Sequence, residues 1–156
     1  MSIKYIDDSF AGSFSESEYE SLKQLLRLDI PDFDLDSDYL NHIRKYNGGR
    51  PVDKYFTARN GNVWSIDVFL NFVDTTKVDS IAAGHNVLAF FEEVEDRTSV
   101  HFLPFAIVGG GNLLCFDYTI GKQMPAVVLW YLESSKVESI ADSFTEFLAM
   151  LSDESP

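Results

Sequence analysis

Asp32, Asp34, Asp36 and Asp38 occupy every second position of Asp32-Phe-Asp-Leu-Asp-Ser-Asp38, a spacing that could offer carboxylates to a divalent cation. A calcium loop of the EF-hand type opens this way, but it needs Gly at its sixth position and Glu at its twelfth. Counted from Asp32 those positions hold Ser37 and Ile43; counted from Asp34 they hold Tyr39 and Lys45. Both frames fail, which leaves solvated carboxylates beside a helix N-terminus, or an acidic strip offered to a basic partner. Glu92, Glu93, Glu95 and Asp96 form a second such cluster. His42, His85 and His101 share no metal-ligand spacing. Cys115 lies in an apolar run, where a small buried hydrophobe is the usual role; a Cys–His nucleophilic pair would carry no local signature here. Gly109-Gly110-Gly111-Asn112 lacks the Lys-Ser/Thr and the following helix of a phosphate loop, and it reads as a tight turn between two strands. These patterns assign no catalytic residue, no metal ligand and no cofactor.

Charge narrows the partners. The chain carries 25 acids against 12 bases, a formal charge of −13, so phosphate would be repelled and direct nucleic-acid binding is not expected. A basic protein would instead be drawn in by a long-range attraction that salt weakens. At 156 residues, one domain is expected, burying roughly two-thirds of its unfolded surface. No apolar run reaches the ~20 residues of a bilayer span. The opening Met1-Ser-Ile-Lys-Tyr-Ile-Asp-Asp puts acids where a signal peptide needs an apolar stretch, and the single cysteine forms no internal disulfide; a cytoplasmic protein is expected.

The elements that must position these residues follow from periodicity. Ser15-Glu-Ser-Glu18 is a capping box opening a helix with Tyr19, Leu22, Leu25 and Leu26 on one face, ending before Ile30-Pro31. Asp36-Ser37 opens a second helix, with Leu40, Ile43 and Tyr46 facing inward, and Asn47-Gly48-Gly49 closes it in a left-handed cap. The period then becomes two. Strands over 54–58 and 62–72 flank Asn60-Gly61, with Trp64, Ile66, Val68, Leu70 and Phe72 expected on the buried face. Helical spacing returns weakly over 79–94 through Ile81, Leu88 and Phe91, interrupted at Gly84 and Asn86. Strands are expected over 102–108, 112–118 and 126–131, then a helix over 136–151 with Ile140, Phe144, Phe147, Leu148 and Leu151 on one side, and a frayed tail over 152–156. Helices at both ends of a run of strands, without regular alternation, argue for α+β with an antiparallel sheet. Arg50, Pro51, Trp64 and Trp130 are interface candidates by type, although Trp in such a strand is more often core.

Three segments carry a family resemblance: Asp38-Tyr-Leu-Asn-His-Ile-Arg-Lys-Tyr-Asn-Gly-Gly-Arg-Pro51, Leu103-Pro-Phe-Ala-Ile-Val-Gly-Gly-Gly-Asn-Leu-Leu-Cys-Phe-Asp117 and Ser139-Ile-Ala-Asp-Ser-Phe-Thr-Glu-Phe-Leu-Ala-Met-Leu151. Their order resembles the SMI1/KNR4 (SUKH) superfamily over roughly residues 15 to 151. Its pattern has a helix ending in Asn-Gly-Gly, a Gly-rich turn into a strand with an acidic end, and a C-terminal Ser-Phe-x-x-Phe-Leu helix. The resemblance implies an SMI1/KNR4-like α+β domain in which Asn47, Gly48, Gly49, Gly110, Gly111, Asn112 and Asp117 are structural. It further implies an immunity protein that occludes a cognate toxin, such as a basic nuclease, without enzymatic activity of its own; a regulatory adaptor is the alternative. The link over 30–37 is more acidic than the family's Leu-Pro-x-x-Tyr, and 79–94 does not match its pattern clearly.

Overall fold

The computed structural model describes residues 3–97, 101–119 and 124–155. Six strands form one antiparallel sheet in simple meander order: β1 (Tyr55–Thr57), β2 (Val63–Phe69), β3 (Phe102–Val108), β4 (Leu113–Asp117), β5 (Ala126–Trp130) and β6 (Val137–Ala141). The helices are α1 (Glu16–Leu26), α2 (Ser37–Lys45), α3 (Ser80–Gly84), α4 (Val87–Val94) and α5 (Phe144–Ala149). This is the expected α+β arrangement.

The sheet curls until its two edges meet. From the tip of the β1–β2 hairpin, Arg59 donates to Ser139 Oγ (2.7 Å) and to Asp142 (3.1 Å), at β6. Tyr55 of β1 exchanges both backbone bonds with Ser152, so the start of the expected tail is instead pinned to the free edge. Covering an edge this way removes a template for unwanted strand pairing.

Inside the curl lies an aromatic core. Phe105 and Phe116, on neighbouring strands, stack with centroids 4.3 Å apart, and Tyr39 of α2 and Phe144 of α5 meet Phe116 edge-on. All four are buried, and aromatic pairs of this kind add about 0.5–1.5 kcal/mol each beyond burial. The other sheet face carries a smaller cluster, Leu113, Cys115, Val128 and Trp130 beneath Val94 of α4. Both faces of β4 and β5 are thereby covered, and no polar alternation survives in those strands.

Four further expectations change. Residues 137–141 are not helical: Val137-Glu-Ser-Ile-Ala141 pairs with β5, and the helix starts only after Ser143, whose side chain accepts from Glu146 N–H (3.1 Å). The four-residue step from Ile140 to Phe144 imitates a helical face, but the unpaired edge of β5 takes the segment as a strand. Second, β2 carries a bulge between Ile66 and Val68, which shifts the inward face. Phe69 therefore joins the main core, and Asn71, expected outside, is 1% exposed. Third, 79–94 is two helices broken at His85-Asn86, and Ile81 points outward. Fourth, only half of the Ser15 capping box forms. Ser15 Oγ accepts from Glu18 N–H (3.2 Å), but Ser15 N–H donates to Phe72 O, and the Glu18 carboxylate accepts from Asn86.

Candidate functional site

The acidic link 32–38 is not one strip. Asp32 is exposed. Asp34 accepts from the Tyr19 hydroxyl of α1 and from Leu35 N–H (3.0 Å). Asp36 is the N-cap of α2, accepting from Tyr39 N–H (3.1 Å), and partial burial raises its pKa above the usual carboxylate value. Asp38 accepts from the Thr145 hydroxyl (2.6 Å) and so ties α2 to α5. Three of the four carboxylates thus hold α1, α2 and α5 in register. The second cluster differs. Glu92, Glu93 and Asp96 are exposed and Glu95 half-exposed at the C-terminal end of α4. None of these four side chains makes a hydrogen bond or ion pair with a described residue. Glu92 adds a repulsion that raises the pKa of Glu18, after burial of Glu18 itself.

The groups that could do chemistry are dispersed. Cys115 is fully buried in the smaller cluster, and burial pushes its thiol far up, with Asp117 adding to the effect. His42 lies beneath α2 among Tyr5, Tyr46, Phe69 and Phe144. Its Nε2 is 2.5 Å from the Tyr5 hydroxyl, whose own pKa is raised by burial, so the phenol stays protonated and hydrogen-bonds the ring. Burial lowers the His42 pKa to about 4, which keeps the ring neutral at pH 7. His85, half-buried at the end of α3, is also held below its usual pKa, by burial and then by the charge of Arg50. Among the described residues no group of three or more His, Cys, Asp or Glu is placed to hold a metal ion.

The turn residues bind the fold together. Asn47, 3% exposed, donates to Gly12 O and Phe72 O and accepts from Phe72 N–H (2.8 Å). Gly48 has φ +72°, and a Cβ there would lie 2.5 Å from Asn71 Cβ. At Gly49 a Cβ would meet the Tyr5 and Phe10 rings at 2.7 Å. Gly110 and Gly111 both have positive φ in the β3–β4 turn, Asn112 Oδ1 accepts from Leu132 N–H, and Asp117 accepts from Thr119 N–H and its hydroxyl.

A family model described as SMI1-KNR4 cell-wall, of the SUKH group, matches residues 16–148. The chain belongs to the SMI1-KNR4 family. No curated protein sequence matches it significantly. No helix among the described residues is long and apolar enough to cross a membrane.

In this SMI1-KNR4 chain, residues 3–15 precede the matched span and form a strap along 47–53. Ile6 N–H donates to Arg50 O, Ala11 N–H to Asn47 O, Arg50 N–H to Ser9 Oγ, and Tyr5 bridges Pro51. Of the residues singled out by type, Pro51 and Trp130 are buried, Trp130 beneath the Arg97 guanidinium at 5.4 Å, and Trp64 is half-buried edge-on to Tyr131. Arg50 stays exposed. The strap also leaves Phe10 41% exposed, and α3 leaves Ile81 69% exposed. Neither was marked by sequence; the only signal for Ile81 is its place in a segment too short and too broken to bury a full helical face.

Proposed function

We propose that this SMI1-KNR4 chain is an immunity protein, a non-catalytic cytoplasmic binder that neutralises a cognate basic toxin of the nuclease class by stoichiometric occlusion. The observation that carries the reading is the end of α4. Glu92, Glu93 and Asp96 make no hydrogen bond or ion pair with a described residue, while Asp34, Asp36 and Asp38 of the other cluster are bonded within the fold. Free acids on a chain of net charge −13 accelerate encounter with a basic protein and contribute less to residence. The dispersal of Cys115 and the histidines supports binding over catalysis, and the family match supports the same class.

Co-expression with the toxin encoded beside it tests the proposal. The parent chain rescues growth and elutes with the toxin as a one-to-one complex in size-exclusion chromatography. A parent that neither rescues nor co-elutes ends the immunity reading. Replacing Cys115 by Ala leaves rescue intact in a folded variant; loss of rescue with an unchanged melt would point to chemistry at the thiol instead.

A further inference from the structure

α3 is held to the fold by polar bonds rather than by packing. Asn71 Nδ2 donates to Ala82 O (2.8 Å), Asn71 N–H donates to His85 O (2.9 Å), and Val87 N–H donates to Asn71 O (2.8 Å). None of the helix's own five residues is buried. A helix this short draws its stability from what it packs against, not from propensity, yet Ile81 is left in water. Ile81 lines a cleft together with Phe10 of the strap, Gly48 and Val68.

The cleft has a volume of about 180 Å³. A dry cavity of roughly 150 Å³ accepts a benzene ring, whereas small-molecule sites run to roughly 300–1,000 Å³. The volume suits one large side chain. At its wall Arg50 donates to Asp67 O (3.3 Å) but forms no ion pair with any described carboxylate, although the chain carries 25 acids. Asp79, also at the wall, is engaged otherwise: its Oδ1 accepts from Ala82 N–H (2.9 Å) and caps α3. His85, Ser9 and Asn71 are the other polar residues that line the cleft.

We propose that this cleft seats an anchor from the partner protein: one large apolar side chain packed between Phe10 and Ile81, beside a carboxylate that pairs with Arg50. Charge complementarity selects the carboxylate. The surrounding acidic surface favours a basic partner, and an unpaired guanidinium within it repels lysine and arginine while accepting an acid, so it fixes which residue of that partner docks here. Aromatic and Arg side chains around a desolvated pocket are the usual composition of a binding hot spot. The proposal deepens the partner-binding reading above and rests on it.

Phenylacetate and phenethylamine, a ring carrying an anion and a ring carrying a cation, test the chemistry on ¹⁵N-labelled full-length protein. Phenylacetate shifts the amides of Gly48, Arg50, Ala82 and His85 saturably. Phenethylamine binds about fivefold more weakly, the scale of one exposed charge pair. Arg50→Gln removes the difference between the probes, and Ile81→Ser weakens both. No saturable shift at these amides, equal binding of both probes to the parent, or an undiminished preference in Arg50→Gln overturns the proposal. In the rescue experiment, Ile81→Asp loses protection with an unchanged melt, since Ile81 is no part of the core. A parent that protects, with Ile81→Asp protecting equally, removes the cleft and keeps the immunity reading. A parent that fails to protect removes that reading, while the probe titration still judges the cleft.

Discussion

Residues 32–49 and residues 92–96 are both conspicuous by charge, and the fold treats them in opposite ways. In the first stretch Asp34, Asp36, Asp38, His42 and Asn47 each have a named partner inside the molecule. In the second, the four carboxylates have none among the described residues, and a single buried residue, Val94, anchors the turn. Like composition therefore says little about role. What separates the two is position: the first runs between α1 and the packed face of α2, so its polar groups must be satisfied locally. The second projects from the end of α4, where water satisfies them.

The comparison predicts that the first stretch is costly to change. Gly48→Val should give the largest loss. The left-handed φ of +72° costs a β-branched residue about 1–2 kcal/mol, and its Cβ would stand 2.5 Å from Asn71 Cβ, so the 71–73 segment must move as well. A total of about 3 kcal/mol or more is expected, read as a lower melting temperature and denaturant midpoint. A melt equal to the parent's would show that the Gly48 turn is not clamped against Asn71.

His42 comes next, through pH. Its folded pKa, about 4, lies below the ordinary value of 6.5, so the folded state holds fewer protons than the unfolded chain. Its contribution is fully present above pH 6.5 and is lost as pH falls towards 4. The loss amounts to about 3 kcal/mol over that window. His42→Gln cannot titrate there and should show a correspondingly flatter fall in stability. Denaturant melts of parent and variant across the window decide it; parallel curves would mean that His42 is hydrated and free to charge.

Much of this was readable beforehand. The Asp36-Ser37 start of α2, the Asn60-Gly61 and Gly109–Asn112 turns, and strands β3 to β5 lie where periodicity and turn chemistry put them, because each rests on a local cause. β6 was misread because whether Val137–Ala141 is helix or strand depends on the free edge of β5, a contact between distant segments. Even so, Ser143 and Glu146 stand at capping-box spacing and mark where α5 starts. The bulge at Ile66/Val68 has no sequence signature, so Asn71 could not be seen as a buried clamp. For the site, exposure was the missing quantity. The acids at 32–38 and 92–96 look alike until the Tyr19, Tyr39 and Thr145 donors are placed beside the first group. Ile81 reads as one position of a helical face until α3 fails to bury it, and nothing in the sequence singles out Phe10.

A smaller effect is expected at Asp36, where charge and capping can be separated. Asp36→Ala removes the acceptor for Tyr39 N–H and should cost about 1 kcal/mol. Asp36→Asn keeps that bond and relieves a partly buried charge, so it should match or exceed the parent at neutral pH. The sign follows from the raised folded pKa: the charged form is disfavoured in the fold, and its penalty grows as pH rises through the carboxylate range. Two equal losses would mean that the charge, not the hydrogen bond, is what α2 needs.

The smallest effect on stability should come from the second stretch, together with the largest effect on association. Glu92→Gln, Glu93→Gln and Asp96→Asn combined should leave stability within about 0.5 kcal/mol, as exposed substitutions without partners do. The loss of repulsion on Glu18 tips the small change towards stabilisation. Against a basic toxin the same variant should associate about tenfold more slowly at low salt, with a flatter dependence on ionic strength and a nearly unchanged off-rate. Neutralising Asp32, Asp34, Asp36 and Asp38 is not an equivalent experiment, because any slowing there is mixed with loosening of α2 against α1 and α5. Stopped-flow association at two salt concentrations reads the α4 variant cleanly. An on-rate equal to the parent's at both would assign the acids of α4 to solubility, and the steering of a basic partner would then have to come from elsewhere on the surface.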